Sequence, residues 1–360
     1  MGKRLEKIRE LAKKDSIYIL LLAFIIVFNV LAAVSSMPAD KAKARKDSQA
    51  LLAKREAIDK TDELMLRREE VEKAFAKKPL LSLALNLTSL AFLLIVALGF
   101  LLDGALLAFR FKGRTFDIST YRHGRVGWSI ADVARVAILF LFFAYLMVII
   151  DAFLYRILPV LKNDNFRMMF NSSISDCIAA MFVVYFAVYK NRAGLIELGL
   201  TLKNLFRNIF YGIAGYIAAV PVFLIAAFLV LIAVKLVGYA PRKQPVVELF
   251  MREGNPAFLV FSSLFTSIFG PVIEELFFRG FMYNAVKKLT GIFWATMLTA
   301  AVFAALHTNV VGFLPIMVLG VLLAHMYEKT GSLVSSITIH IIHNLAMVYV
   351  VFLVKGIKAI

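Results

Sequence analysis

Apolar residues in this chain gather into long blocks separated by short polar gaps. A helix rises about 1.5 Å per residue, so about 20 apolar residues are enough to cross the hydrocarbon core of a bilayer. Nine blocks qualify as candidates, at 17–35, 80–102, 129–150, 173–189, 208–237, 257–288, 292–308, 311–327 and 332–354. The pattern predicts an all-α protein, a polytopic transmembrane helical bundle of about nine spans. The block at 257–288 is too long for one straight crossing and contains Gly270-Pro271. A kink there is expected, or a division into a shallow piece and a true span.

The polar gaps divide the chain further. Residues 1–36 form an N-terminal tail and first span, which is expected to stay uncleaved because the block is as long as a full crossing and a long charged stretch follows it. Residues 37–79 carry both signs of charge and are rich in Ala, Lys, Glu, Arg and Leu. With Glu56/Lys60 and Glu69/Lys73 as favourable i,i+4 pairs, they read as a charged helical segment outside the membrane, either a substrate-recognition hairpin or a solvated extension of the flanking spans. Spans without a recognisable motif occupy 80–190, the motif-bearing core 191–354, and a tail 355–360. Within the core, 194–207 reads either as a short amphipathic helix or as a plain connector.

Composition agrees with the block pattern. The 360 residues are 61% hydrophobic and 18% charged, and the mean hydropathy is +0.80. A soluble domain is about a quarter charged, so this chain has too little polar surface for a water-soluble globule. The formal charge of +17 could point to nucleic acid, but the basic residues bunch in the gaps, as loops do under the positive-inside rule. A lipid surface is therefore the partner and nucleic acid is not. Placing Lys3, Arg4, Lys7 and Arg9 in the cytoplasm also places Arg110, Lys112, Arg114, Lys190, Arg192, Lys287 and Lys288 there. An integral multi-pass protein of a bacterial plasma membrane, with its N-terminus cytoplasmic, is expected. The single cysteine, Cys177, permits no intramolecular disulfide.

Ionisable groups inside a span cost about 2.5 to 3.5 kcal/mol each near the centre of a helix, so they need a purpose. The last third of the chain concentrates them: Glu274, Glu275 and Arg279 in one block, His307 in the next, His325 in the one after, and His340, His343 and Asn344 in the last. Glu275 and Arg279 are i,i+4 with the acid first, the better order for an ion pair, which leaves Glu274, about 100° round the helix, to face elsewhere. His340 and Asn344, also i,i+4, project from one face. Counted along alternating helices, Glu274, His307 and Asn344 each lie about 18 to 22 Å from the cytoplasmic boundary. His325 and the acids Asp103, Asp132, Asp151 and Asp176 read as packing or span-end groups reached by interfacial water.

Three motifs stand in order on three blocks: Glu274-Glu275-Leu-Phe-Phe-Arg279, Phe303-Ala-Ala-Leu-His307 and His340-Ile-Ile-His-Asn344. In order and placement they resemble the EExxxR, FxxxH and HxxxN motifs of the CAAX prenyl protease and bacteriocin-processing (CPBP) family of intramembrane proteases, including its lysostaphin-resistance-protein-like members. The resemblance extends over about 190–350. It implies a membrane endopeptidase with its cavity in the last four helices, acting on a peptide or membrane-protein substrate, either of the prenylated CAAX type that the family name implies or of the different kinds open to bacterial relatives. It further implies that Glu274 and His307 activate a water while His340 and Asn344 bind the carbonyl oxygen, with Glu275, Arg279 and His343 in support.

The chemistry of these groups suits that division without a Ser or Cys nucleophile. No cofactor is required on this reading. Zinc held by Glu274, His307 and His340 is the alternative, although Asn is a poor zinc ligand and no HExxH occurs. Outside the protease class remain a catalytically silent immunity or scaffold protein and a proton-coupled transporter. The absence of an inverted repeat lowers the transporter reading.

Overall fold

A computed structural model of the chain describes residues 15–30, 78–114, 117–120, 126–239 and 244–358. The helical segment expected within 37–79 lies outside these residues, apart from its last two positions. The described residues divide into two compact units, one within 88–355 and the other of 15–30 and 78–87 with 356–358. The second contributes the helix α1 (Ser16–Val30), in which the Asn29 side chain donates to the Ile25 carbonyl at 2.8 Å.

Helices follow α1 in the order α2 (Pro79–Phe111), α3 (Ile130–Leu154), α4 (Asp164–Val184), α5 (Leu205–Val237), α6 (Pro245–Arg252), α7 (Pro256–Leu264), α8 (Gly270–Glu275), α9 (Asn284–Leu306), α10 (Phe313–Thr330) and α11 (Leu333–Lys358). Among the described residues, seven helical runs are long and apolar enough to cross a membrane. The nine blocks map onto them with two adjustments. The first block is described only as the short α1, and blocks 257–288 and 292–308 form one run, Pro256–Leu306. Gly291 breaks that run in direction, because its backbone (φ 78°, ψ 176°) departs from helical values in the region where only glycine is unstrained. The protein is an integral membrane protein with a polytopic helical architecture.

Burial divides the bundle. Most side chains of α2 and α5 that are large and apolar stay exposed, among them Leu93, Phe100, Phe228 and Leu231. Such surfaces meet lipid without penalty. The buried residues crowd onto α8 to α11 and the segments that join them: Phe281, Tyr283, Ala300, Phe303, Leu323, Tyr327 and Ile339. Helices α9 and α10 approach closely at Gly320, where a Cβ would lie 2.9 Å from the Cα and Cβ of Ala300.

Polar clasps fix the end of the bundle that carries Lys287 and Lys288. Lys287 pairs with Glu328 at 2.6 Å, and Lys288 donates to the Trp128 carbonyl at 2.7 Å. The Trp128 indole N–H donates to the Phe281 carbonyl at 2.8 Å, and Lys190 pairs with Asp132 at 2.5 Å. Residues 194–207 are not one amphipathic helix. A 3₁₀ turn, Leu195–Leu198, leads into an irregular connector, because its backbone is tied sideways: Tyr327 donates to the Leu198 carbonyl and the Leu333 N–H to the Gly199 carbonyl.

Candidate active site

The helix that bears the paired glutamates is interrupted on both sides of them. Phe265–Phe269 and Leu276–Tyr283 are wound as π-helix, with α8 between. Such wider turns concentrate at functional sites because they rotate the side chains that follow. The expected disturbance at Gly270-Pro271 therefore takes the form of a change of register, with Phe269 and Gly270 both still in the right-handed helical region.

Glu275 and Arg279 are 0% and 1% exposed, and Arg279 Nη1 donates to Glu275 Oε1 at 2.7 Å. Charges this far from water must be paired. Arg279 has further support: Nη2 donates to the Gly320 carbonyl at 3.2 Å, and its guanidinium lies 4.5 Å from the ring centroid of Phe303. His340, also buried, meets the same carboxylate, with Nδ1 3.0 Å from Glu275 Oε1. An ionised carboxylate only accepts, so this nitrogen carries the hydrogen.

The other ring nitrogen of His340 faces Glu274, with Nε2 3.8 Å from Oε2. Glu274 is one-third exposed overall, yet its Oε2 is buried and makes no hydrogen bond to the protein. Asn344, one turn along α11, donates from Nδ2 to the Thr266 carbonyl at 2.9 Å. His307 caps α9 and sits on the ring of Phe303, 4.7 Å between centroids, while His340 meets that ring edge-on at 5.6 Å. His307 Nδ1 lies 2.7 Å from the Phe303 carbonyl. A carbonyl can only accept, so Nδ1 is the protonated nitrogen and a neutral ring keeps Nε2 as the basic one.

The geometry thus gathers Glu274, Glu275, Arg279 and His340 into one cluster, with Asn344 one turn beyond and His307 joined through an aromatic ring. His343 turns away towards α5, where Tyr216 Oη lies 3.3 Å from its Nδ1 and Phe223 packs on it. His325 lies on an exposed face of α10. Among the described residues no three His, Cys, Asp or Glu side chains assemble as a metal-holding group.

Two participants were not apparent from sequence. Asp176 is not at a wet span end: it is half-buried on α4, which packs against α8, and close enough to Glu274 to interact electrostatically. Its signal was a charge inside an apolar block. The Thr266 carbonyl, a backbone group, left none.

Comparison with known proteins points to the same segment of the chain. Residues 256–346, which contain all three motifs, match the family model described as Type II CAAX prenyl endopeptidase Rce1-like. Over 79 residues the chain is 28% identical to YdiL of Bacillus subtilis (strain 168), which carries the description of a candidate membrane peptidase. That match covers 22% of this chain and 32% of the relative. No solved structure gives a significant match. In its motifs and in this match, the segment 256–346 is similar to the type II CAAX prenyl endopeptidases, and the match does not extend to the rest of the chain.

Proposed function

We propose that this protein is an intramembrane endopeptidase that hydrolyses a peptide bond with a glutamate-activated water. The observation that carries the reading is Glu274 Oε2: buried, unpartnered by the protein and 3.8 Å from His340 Nε2, beside a second carboxylate already paired with Arg279. A carboxylate held this way can take a proton from water. His307, with Nε2 as its basic nitrogen, assists. The hydroxide adds to the carbonyl carbon, and the developing oxyanion accepts from the second amide hydrogen of Asn344, the first being committed to Thr266. His340 can donate from Nε2 only as an imidazolium, since its Nδ1 hydrogen is held by Glu275. Glu274 then returns the proton to the leaving nitrogen as the C–N bond breaks.

The match to a type II CAAX prenyl endopeptidase model supports a substrate of CAAX type, a prenylated peptide or membrane protein presented from the lipid. No step in this scheme is routed through a metal, and the chelator arm of the test below addresses the zinc alternative. Glu274→Gln tests the whole scheme. Cleavage of a prenylated CAAX peptide by purified protein should fall about 10²–10⁴-fold with unfolding temperature unchanged, and chelator should not abolish the wild-type rate. Cleavage at the wild-type rate by the Glu274→Gln protein would overturn it, and proton-coupled uptake without cleavage by the wild type would favour a transporter.

A further inference from the structure

The π turn before Pro271 leaves one backbone carbonyl without a donor. The Gly270 N–H donates to the Phe265 carbonyl, five residues back. In this register the next acceptor, the Thr266 carbonyl, faces the nitrogen of residue 271, which is proline and carries no hydrogen. Gly270 and Pro271 are both buried, so water is not the ready substitute. A half-buried carbonyl in this position, inside a membrane-spanning run, needs a partner from elsewhere. Asn344 Nδ2, 2.9 Å away on α11, is that partner.

Four residues before Asn344, on the same face of α11, His340 Nδ1 meets Glu275. Helix α11 therefore holds the glutamate-bearing run at two points, one before Pro271 and one after it. Between them lies the turn that presents Glu274.

We propose that Asn344 is a positioning residue for Glu274: it supplies the hydrogen that Pro271 withholds from the Thr266 carbonyl, and with His340 it brackets α8. The activity readout of this proposal rests on the protease reading, but the clamp itself does not. A contact held only for transition-state binding would be indifferent to residue 271. A clamp answering to proline becomes redundant once residue 271 has an N–H.

The test is a cycle of four proteins purified in detergent: wild type, Asn344→Ala, Pro271→Ala and the double variant. Pro271→Ser supplies the same N–H and replaces Pro271→Ala if that variant does not fold. Asn344→Ala should lower kcat about 10³-fold, the oxyanion contact and the clamp being lost together, with KM changed less than about twofold, and should lower the unfolding temperature. In the Pro271→Ala background, the kcat loss from Asn344→Ala should be at least about tenfold smaller, and the two substitutions should be less than additive in unfolding temperature. Asn344→Asp, with the same shape but no N–H, should behave as Asn344→Ala. A kcat loss that shrinks by less than about tenfold when Pro271→Ala is introduced overturns the proposal. Coupling in unfolding temperature without kcat rescue also overturns it, assigning Asn344 to folding alone. If the wild type cleaves nothing, the protease reading has failed, and additive unfolding temperatures would then remove the clamp as well.

Discussion

His340 Nδ1 lies 3.0 Å from Glu275 Oε1, the same oxygen that accepts from Arg279 at 2.7 Å. One buried carboxylate thus orients an imidazole on α11 and neutralises a guanidinium on its own helix. This sharing makes Glu275 the node of the site, although Glu274 is the residue assigned to the chemistry. A ring nitrogen pinned by a carboxylate has a fixed tautomer and orientation, so the opposite nitrogen points at Glu274 by construction.

Removing Arg279 should therefore damage more than one contact. Arg279→Met leaves Glu275 buried without its guanidinium and with only the His340 hydrogen bond, a change that costs about 3 to 5 kcal/mol where one partner of a buried ion pair is lost. Thermal unfolding in detergent should show a drop of several degrees, accompanied by lost cleavage. Arg279→Lys should not rescue, because a point charge cannot reach both Glu275 Oε1 and the Gly320 carbonyl. Full activity in the Arg279→Lys protein would show that a cation beside Glu275 suffices and that the Gly320 contact is dispensable.

Glu275→Gln offers a finer probe. An amide oxygen can still accept from His340 Nδ1, so the ring keeps its orientation while the charge beside Arg279 disappears. The loss of kcat should be smaller than for Glu274→Gln, and KM should hardly change. If the two variants lose equal activity, the assignment of the base to Glu274 alone fails.

Gly320 ties packing to chemistry. A Cβ there would lie 2.9 Å from the Cα and Cβ of Ala300, closer than side chains approach, and the Gly320 carbonyl accepts from Arg279. Gly320→Ala should force α9 and α10 apart at a cost of about 1 to 3 kcal/mol. It should also lower cleavage without touching any ionisable group. The comparison is made on unfolding temperature and kcat of the same preparation.

How much of this was legible in the sequence depends on the kind of interaction. The spans were legible because composition alone forces apolar blocks into lipid, and the Glu275–Arg279 pair because i,i+4 spacing brings two side chains of one helix together. The meeting of His340 with Glu275 was not. Spacing gave only the shared face of His340 and Asn344, and which carboxylate that face would find depended on the register of two π turns. Asp176 was misread as interfacial because its neighbour on α8 is set by packing between helices distant in sequence. Asn344 went to a backbone carbonyl that only the loss of the proline hydrogen exposes.

Outside the spans, Glu253 ties the start of α7 to α4 and α11 and sets a pH limit. Its Oε1 accepts from the N–H groups of Gly254 and Asn255, both at 2.9 Å, and its Oε2 from the Asn165 side chain at 2.9 Å. Lys355 approaches the same turn, donating to the Phe250 carbonyl at 3.0 Å. The hydrogen bond from the Asn255 N–H is the main cause that holds the Glu253 carboxyl below the usual glutamate range, followed by that from Asn165. A carboxyl held low in the folded state binds its proton more readily once unfolded. The stabilisation is therefore present above the ordinary glutamate range and lost as pH falls through the lowered folded value. Unfolding temperature of the wild type should decline as pH drops through the acid range, and Glu253→Gln should be less stable at neutral pH while showing a shallower decline. Parallel curves for the two proteins would mean that this turn does not sense the proton at all.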